Sequence, residues 1–341
     1  MRFLLPVLIG FCGIWGSFGL LYAVLFLVLT AEFVNGWTDA PNAIATVVAT
    51  RVMRPQYAVI MAAILNTVGA FSGTAVALSI GKGIVDPAVI NLYTVAGAMT
   101  GIVIWSYVAW TRGIPTSESH ALIAGLAGAA LASSGPHALL WSGWQKVFIG
   151  LAISSLLGFV IGWIILRIII FICKNWSPYR VRKHFCWMQL CSAGFMALSH
   201  GSNDGQKFIG VFGLVLLLGG VYQTFTIPYG VIILCAGVMG IGTMLGGYRI
   251  IQRMSAMGGL HEPHTGFAAE MGSALAIIVA SHYGIPLSTT QTINTTIMGV
   301  GAARRYSAVR WSVAQEMILA WILTFPICAT IAFLITLLLL Y

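Results

Sequence analysis

Runs of about twenty apolar residues recur along the whole chain, and each is long enough to cross a lipid bilayer as an α-helix. Short polar stretches separate these runs, so roughly eight to twelve membrane segments fit into the chain. Little sequence is left over for a soluble domain. The pattern predicts an all-α polytopic membrane protein. The clearest runs are Tyr57–Ile80, Asn91–Trp110, Lys146–Ile172, Phe185–Leu218, Pro228–Tyr248, Gly266–Tyr283 and Gln315–Leu340.

Two polar stretches lie inside apolar runs instead of between them. Gly36–Val48 reads GWTDAPNAIATVV, and Gly201–Val211 reads GSNDGQKFIGV. Glycine and proline disfavour a continuous helical hydrogen-bond ladder, so we expect a broken helix at each stretch. An ionised carboxylate at bilayer depth is costly, and Asp39 and Asp204 are therefore expected to serve a function.

Two other apolar runs lead into a Gly-Ile-Pro sequence. Asn91–Trp110 continues into GIPTSESHALIAGLAGAA, and Gly266–Tyr283 continues into GIPLSTTQTINTTIMGVGAA. Charge-poor loops flank the first of these segments on both sides, which indicates that both of its ends lie outside. We therefore predict two re-entrant hairpins, the first opening outward with its tip, Pro115–His120, buried at membrane depth, and the second opening inward.

The two halves of the chain repeat one plan in opposite orientations. We predict an N-terminal membrane repeat over residues 1–172, a basic cytoplasmic loop over 173–184 and a C-terminal inverted membrane repeat over 185–341. Arg2 and the apolar run after it are interpreted as an uncleaved lead-in to the first span. An inverted-topology repeat whose broken helices meet near the bilayer midplane is typical of secondary transporters.

Composition and charge agree with this picture. Only 7% of the residues are charged, against roughly 25% in soluble proteins, which excludes a soluble fold. The net charge of +9 does not indicate nucleic-acid binding, because the basic residues cluster in loops. This is the pattern of the positive-inside rule, which assigns these loops to the cytoplasm. We therefore expect a multi-pass protein of the plasma (inner) membrane, surrounded by lipid. The six cysteines lack CxxC spacing and indicate neither a disulfide nor a metal site. The clustered basic residues are Arg51, Arg54, Lys174, Arg180, Arg182, Lys183, Arg249, Arg253, Arg304, Arg305 and Arg310.

The hairpin tips combine hydroxyl groups with the start of a helix. Free N–H groups at a helix N-terminus, with the helix dipole behind them, bind anions without a fixed charge. Two such tips suit a tetrahedral oxyanion, although hydroxyls also pair backbone groups that a chain break sets free. The tip hydroxyls are those of Thr116, Ser117, Ser119, Ser288, Thr289 and Thr290.

The two aspartates pose the opposite problem. Carboxylates beside an anion repel it unless a proton or a metal cation stands between them. The side chains of Asn42 and Asn203, with carbonyl groups of unwound helix, offer oxygen ligands for a hard cation. Cation-coupled uptake of an anion is therefore predicted, and an aspartate that caps a broken helix is the structural alternative.

Four motifs in order resemble the PiT family of inorganic phosphate transporters: GWTDAPNA, SHGSNDGQK, GIPTSESH and GIPLSTTQ. The resemblance covers Ala31–Phe325, and the flanking ATVVATRVM and IGTMLGGYR are similar to the bacterial low-affinity, proton-coupled branch. It implies symport of inorganic phosphate with H⁺ or Na⁺, commonly by a homodimer, without an enzymatic activity or a bound cofactor.

The resemblance also implies roles for individual residues. Phosphate contacts are expected from Thr116, Ser117, Ser119, Ser288, Thr289, Thr290 and Asn203, and Lys207, which departs from the family pattern, is a further candidate. Cation coupling is expected from Asp39, Asn42 and Asp204, and Glu118, which departs from the family pattern, is a further candidate for it. A metal site formed by Asp39, Asn42 and Asp204 is expected only if sodium is the coupled ion.

Departures from the family pattern refine the prediction. Lys207 stands where many members have a second Asn, and its ammonium near Asp204 takes the role of a sodium ion or contacts phosphate. We therefore expect coupling to protons rather than to sodium. Gln291 replaces the usual His of the second tip, whereas His120 keeps that of the first and either packs or handles protons. Glu118 is unusual in its tip and could carry the coupled proton if it is buried.

Four further residues are candidates for a role or for packing. Glu32 and Glu270 lie in apolar runs, where pairing between helices is the structural alternative. Arg112 adjoins the first tip and is expected to attract phosphate, and His200 is expected to pack.

Several functions stay open at this point. Sulfate or another oxyanion would suit the same tips, phosphate could enter as a neutral complex with a divalent metal, and sodium could replace the proton. A passive anion channel would not accumulate its substrate. An intramembrane hydrolase is disfavoured, since Ser199 and His200 are neighbours that point apart on a helix.

Overall fold

The computed structural model describes residues 17–256, 260 and 262–341, so the predicted N-terminal lead-in and Cys12 lie outside the described residues. The described chain is helical and contains no β-strand. A π-helical turn, Ile153–Leu157, joins the sixth helix to the seventh. The helices are α1 (Ser17–Ala49), α2 (Pro55–Ala70), α3 (Ala75–Gly83), α4 (Leu92–Thr111), α5 (Glu118–Ser134), α6 (Trp141–Ala152), α7 (Gly158–Ile172), α8 (Pro178–Leu218), α9 (Tyr229–Met244), α10 (Tyr248–Ala256), α11 (Pro263–His282), α12 (Thr289–Arg304) and α13 (Trp311–Leu340).

The predicted class, an all-α polytopic membrane protein, is confirmed. Four segments of the described chain are long and apolar enough to cross a membrane, and six if each of two bent helix pairs counts as one span. This is fewer than the roughly eight to twelve segments expected from apolar runs alone. The difference arises because α8 carries a polar motif within its length, and α5 and α12 have only 17 and 16 residues. The four segments are Gly19–Ala49, Leu92–Thr111, Trp141–Ile172 and Trp311–Leu340.

The predicted helix breaks at the two aspartate motifs are wrong. Helix α1 runs without interruption through Gly36 and Pro41, and α8 runs through the whole of GSNDGQK. The glycines instead allow close helix contacts. A Cβ at Gly36 would lie 2.2 Å from the carbonyl oxygen of Met239, and one at Gly201 would lie 2.1 Å from that of Asn66. Glycine is thus required where α1 meets α9 and where α8 meets α2.

Two sharply bent helix pairs do occur, but in the helices that follow. Helices α2 and α3 meet at 70°, and α9 meets Arg249–Ala256 of α10 at 73°. The polar motif of α8 contributes to the first bend, since Gln206 Oε1 accepts a hydrogen bond of 3.0 Å from the N–H of Val76 in α3. A backbone donor left unpaired at the start of a helix is thereby satisfied.

Two helical hairpins form where they are predicted, from α4 with α5 and from α11 with α12. The side of the membrane on which each one opens stays a prediction. Each first arm ends at a glycine with positive φ, 66° at Gly113 and 65° at Gly284. The next residue then donates a backbone hydrogen bond back into the helix, from Ile114 to Ala109 in one hairpin and from Ile285 to Ala280 in the other. This left-handed turn directs each chain towards its Pro and Ser residues.

The hydrophobic core has two parts, and α1 and α8 traverse them in opposite directions. Helix α1 contributes Val28 to the first part and, further along, Ile44 to the second. Helix α8 contributes Met196 to the second part before it contributes Val211 to the first. Both aspartate motifs lie at the passage between the two parts, as expected for an inverted-topology repeat.

The connection between the halves is shorter than predicted. Helix α7 ends at Ile172, and α8 begins at Pro178 with the Ser177 side chain as its N-cap. The predicted loop 173–184 therefore includes two turns of helix, because Ser at the cap and Pro in the first turn both favour a helix start. The predicted boundaries of the two repeats stay predictions.

Candidate functional site

Asp39 and Asn42 lie three residues apart on α1 and face the second hairpin. Both side chains are buried. Thr290 Oγ1 donates a hydrogen bond of 3.2 Å to Asp39 Oδ1, and Asn42 Nδ2 donates one of 2.8 Å to Thr290 Oγ1. The other carboxylate oxygen of Asp39, Oδ2, has no hydrogen-bond partner among the described residues. The first motif is thereby joined to the start of α12 with one carboxylate oxygen left open.

The second motif forms a stripe of ionisable groups on α8. His200, Asp204 and Lys207 follow one another at steps of four and three residues, which places them on one helix face. His200 Nε2 lies 3.3 Å from Asp204 Oδ2, and the Lys207 ammonium contacts Asp204 Oδ1. Thr289 of the second hairpin donates a hydrogen bond of 2.7 Å to Asp204 Oδ2. Asp204 is thus fully partnered, unlike Asp39.

The two hairpin tips meet through their N-cap serines. Ser117 Oγ accepts from the N–H of His120, and Ser288 Oγ accepts from the N–H of Gln291. The hydroxyl of Ser288 donates to that of Ser117 over 2.8 Å. The N-termini of α5 and α12 therefore point at one another, and each carries about half a positive elementary charge. Such an arrangement favours an anion between them.

Lys207 connects α8 to both tips. Its ammonium donates to Ser119 Oγ, to Asp204 Oδ1 and, over 2.7 Å, to the carbonyl oxygen of Leu287. The Ser119 hydroxyl also donates to the Leu287 carbonyl, over 2.9 Å. A carboxylate, a hydroxyl and a carbonyl oxygen are the ligands that a hard cation prefers. The lysine ammonium is bound where such a cation would fit.

The contacts of the two halves correspond. Asn42 of α1 contacts Thr290 of the second tip, and Lys207, at the matching place on α8, contacts Ser119 of the first tip. The difference is one of charge, because an amide stands on one side and an ammonium on the other.

Glu118, at the start of α5, is buried. Thr38 donates a hydrogen bond of 2.8 Å to its Oε1, and Ser106 donates one of 2.6 Å to its Oε2. This carboxyl therefore lies between α1 and α4. Its two hydrogen bonds come from uncharged hydroxyls.

The remaining predicted site residues lie at the edge of this cluster. Asn203 Nδ2 donates to Ser281 Oγ over 2.9 Å and to the carbonyl oxygen of Ile285 over 3.3 Å, so it contacts the second hairpin rather than the serine pair. Thr116 is buried next to Ser117 in the first tip.

Sequence reasoning missed the role of His200, for which packing was expected. Besides Asp204, this side chain contacts Asn66, whose Oδ1 lies 3.2 Å from His200 Nδ1. The four-residue spacing from Asp204 would have revealed the contact if α8 had been recognised as continuous. Ser154, in the π-helical turn, was also missed, and its Oγ accepts a hydrogen bond from the N–H of Ser288.

Three other candidates lie at a helix end, in the first tip and between helices. Arg112 is exposed at the end of α4, and its attraction for phosphate stays a prediction. His120 is buried and packs on Phe325, with 4.8 Å between ring centroids. Glu270 accepts hydrogen bonds from Thr46, Gln189 and Ser192, which is the pairing between helices expected as its structural alternative.

Asp39, His200 and Asp204 converge closely enough to share a cation. One ligand atom of each lies within 4.8 Å of the other two. Two carboxylates and one imidazole form a donor set for a divalent metal, although the Lys207 ammonium already neutralises one of the carboxylates.

Comparisons with known proteins agree with this architecture. Residues 35–332 match the phosphate transporter family. A probable low-affinity inorganic phosphate transporter of Rhizobium meliloti (strain 1021) is 40% identical over 318 residues, which cover 93% of this chain and 95% of the relative. A protein of the same description from Bacillus subtilis (strain 168) is 36% identical over 311 residues, which cover 90% of this chain and 93% of the relative.

One solved structure, described as the sodium-dependent phosphate transporter, has the same fold. It superposes with a TM-score of 0.86 at 21% identity, and the match covers 94% of this chain and 98% of that one. These relatives are named as transporters, which is a non-enzymatic class of protein.

Proposed function

We propose that this chain, which belongs to the phosphate transporter family, is a secondary active symporter that imports inorganic phosphate with a coupled proton. One observation carries the proposal. The N-termini of two helices meet beside a buried ammonium, with two aspartates next to them. A doubly charged oxyanion and a cation would each stabilise this site for the other.

Phosphate would bind between the hairpin tips. The Ser117–Ser288 hydrogen bond is a contact between two hydroxyls, each of which can donate to a phosphate oxygen instead. The N–H groups in the first turns of α5 and α12 add further donors. In this scheme Lys207 supplies positive charge, and Asn203 positions the second hairpin. Further hydroxyl groups around the phosphate come from Thr116, Ser119, Thr289 and Thr290.

Coupling would depend on the aspartates, because two carboxylates beside phosphate repel it. Asp204 is neutralised by Lys207, whereas Asp39 has one unpartnered oxygen, which is a place for a proton. Asn42 would fix the orientation of Asp39 through Thr290. Glu118 is a further proton carrier in this scheme, since its contacts are neutral hydroxyls.

The contacts of Lys207 support a proton over sodium as the coupled ion. Asp204 Oδ1, Ser119 Oγ and the Leu287 carbonyl would fit a sodium ion, but the Lys207 ammonium already bonds to all three. If sodium is coupled nevertheless, Asp39, Asn42 and Asp204 are the residues that would hold it.

Uptake of labelled phosphate into proteoliposomes tests the proposal. An inward proton gradient should drive accumulation, a sodium gradient at equal pH should not, and a passive channel would only equilibrate the label. Accumulation driven by sodium alone would overturn proton coupling. Excess sulfate that abolishes the uptake would favour a general oxyanion permease.

A second candidate substrate is a neutral complex of phosphate with a divalent metal. The convergence of Asp39, His200 and Asp204 favours it, because these groups could bind the metal of the complex. Dependence of phosphate uptake on Mg²⁺ or Ca²⁺, with uptake of the metal in proportion, would distinguish this substrate from free phosphate.

Transport would proceed by alternating access, with the hairpins moving against α1 and α8. The two halves, residues 1–172 and 185–341, are the proposed repeats on either side of the linker 173–184. The protein is a multi-pass protein of the plasma membrane, and we further propose that it forms a homodimer surrounded by lipid.

A further inference from the structure

The buried acidic residues differ in how many partners they have. Five of the eight acidic residues are buried: Glu32, Asp39, Glu118, Asp204 and Glu270. Four of them contact groups on other helices. Glu32 instead has a single hydrogen bond, in which Asn35 of the same helix donates to Oε2 over 3.1 Å. Its Oε1 has no partner among the described residues, although the side chain is fully buried.

Glu32 is the first residue of a polar stripe along α1. The stripe comprises Glu32, Asn35, Asp39 and Asn42, at steps of three, four and three residues, so these side chains share one face of the helix. Seven residues of α-helix correspond to about 10 Å along the axis, which separates Glu32 from Asp39 by two turns. Helix α1 ends before the basic residue Arg51, so Glu32 lies on the side of Asp39 away from the predicted cytoplasmic face.

Among the described residues, ionisable groups on two helices face Glu32. Asp204 and Lys207 of α8 exert their charges on it, and Cys235 of α9 is the buried ionisable neighbour on that side. Helix α4, which also packs on α1, presents no ionisable group among its buried residues. No cation contacts the carboxyl directly within the described residues, and a buried carboxylate without a counter-ion is costly.

We infer that Glu32 is a proton-binding site on the outer side of Asp39, and that it loads the coupled proton before phosphate is released inward. The inference rests on the proposed proton-coupled transport. A proton from the outer solution forms an O–H bond at Oε1 and neutralises the carboxylate. The same bond breaks when the proton leaves along the stripe towards Asp39, so one proton is taken up and one is released.

Glu32→Gln tests this assignment, because it keeps the size and the polarity of the side chain but cannot release a proton. The full chain is reconstituted in proteoliposomes, and two reactions are measured: proton-driven accumulation of labelled phosphate, and exchange of labelled for unlabelled phosphate without a gradient. We expect accumulation to fall at least about tenfold while exchange stays within about twofold of the unmodified protein. Glu316→Gln is the matched control, since Glu316 is exposed and pairs with Arg253.

Three results would overturn the inference: accumulation by Glu32→Gln that equals that of the unmodified protein, loss of exchange together with accumulation, or an equal defect in Glu316→Gln. If Glu32→Gln does not fold, Glu32→Asp decides, because it keeps an acid at a changed position. The pH profile of its accumulation should shift, and an unchanged profile would count against the inference. Failure of the proposed function is distinguishable, since the unmodified protein itself would then show no proton-driven accumulation.

Discussion

At the scale of single residues, the Lys207 ammonium lies where a hard cation would fit. It contacts oxygens from α8 and from both hairpin tips, so removing it leaves Asp204 without its counter-ion. Breaking a buried ion pair from one side costs about 3–5 kcal/mol. The same change opens a shell of oxygens that suits sodium.

Lys207→Asn should therefore lower the unfolding temperature in detergent, and sodium chloride should restore part of the loss where potassium chloride does not. Ligand binding to the folded state alone stabilises a protein by mass action, which is the reason for the difference between the salts. Lys146→Asn serves as the control, since Lys146 lies at the surface and has only a weak contact with Ser79. Equal effects of the two salts would contradict the interpretation of Lys207.

Substitution of Asp39 tests the coupling of phosphate transport to protons. Its Oδ2 is open, so an amide at this position keeps the bond from Thr290 but cannot exchange a proton. Asp39→Asn should reduce proton-driven accumulation at least about tenfold while the protein remains folded in the membrane. Asp86→Asn, outside the buried cluster, should transport normally. Concentrative uptake by Asp39→Asn would refute its role in coupling.

At the scale of helices, α8 approaches α2 closely because Gly201 has no side chain. A Cβ at Gly201 would overlap the backbone of α2 at Asn66, whereas a Cβ at Gly237 in α9 would have no heavy atom within 4 Å. Gly201→Ala should destabilise the protein by about 1–3 kcal/mol, since backbone atoms must move. Gly237→Ala should be neutral or stabilising, because alanine favours the helix by about 0.5–1 kcal/mol. Thermal unfolding in detergent measures both, and equal stability of the two variants would exclude this contact.

Glycines at turns and glycines at helix contacts differ in how well the sequence predicts their effect. Gly113 and Gly284 act through their own backbone conformation, which is a local property. The Gly-Ile-Pro sequences that contain them, together with the charge of the flanking loops, predict the two hairpins correctly. Gly36 and Gly201 act through contact with Met239 and Asn66, far away in the chain. Such contacts leave no local pattern, so from the sequence alone glycine in these motifs predicts a helix break.

In the candidate site, too, contacts between residues distant in the sequence could not be predicted. Asp39 and Asp204 could be predicted because a carboxylate in an apolar run is unusual at the level of sequence. The partners of Glu118, by contrast, are Thr38 and Ser106, two common hydroxyl residues whose importance comes only from the packing of α1 against α4.

At the scale of the whole molecule, the two halves are related by inversion. Helices α1 and α8 cross the two parts of the core in opposite directions, and a sharply bent helix pair follows each of them. Because the two hairpins must then open on opposite sides of the membrane, the loop after α3, which precedes the first hairpin, should face outward, and the loop after α12, which follows the second hairpin, should face the cytoplasm. The cluster of basic residues beside the second loop supports this assignment.

Single cysteines in the two loops test the inversion. Ala88 and Ser307 are exposed, so Ala88→Cys and Ser307→Cys are matched reporters. In a background with the exposed Cys191 replaced by Ser, a membrane-impermeant maleimide should label Ala88→Cys in intact cells and Ser307→Cys only after permeabilisation. Labelling of both from the same side would mean that the halves share one orientation, and the two hairpin tips would then lack the opposed entry sides that alternating access requires.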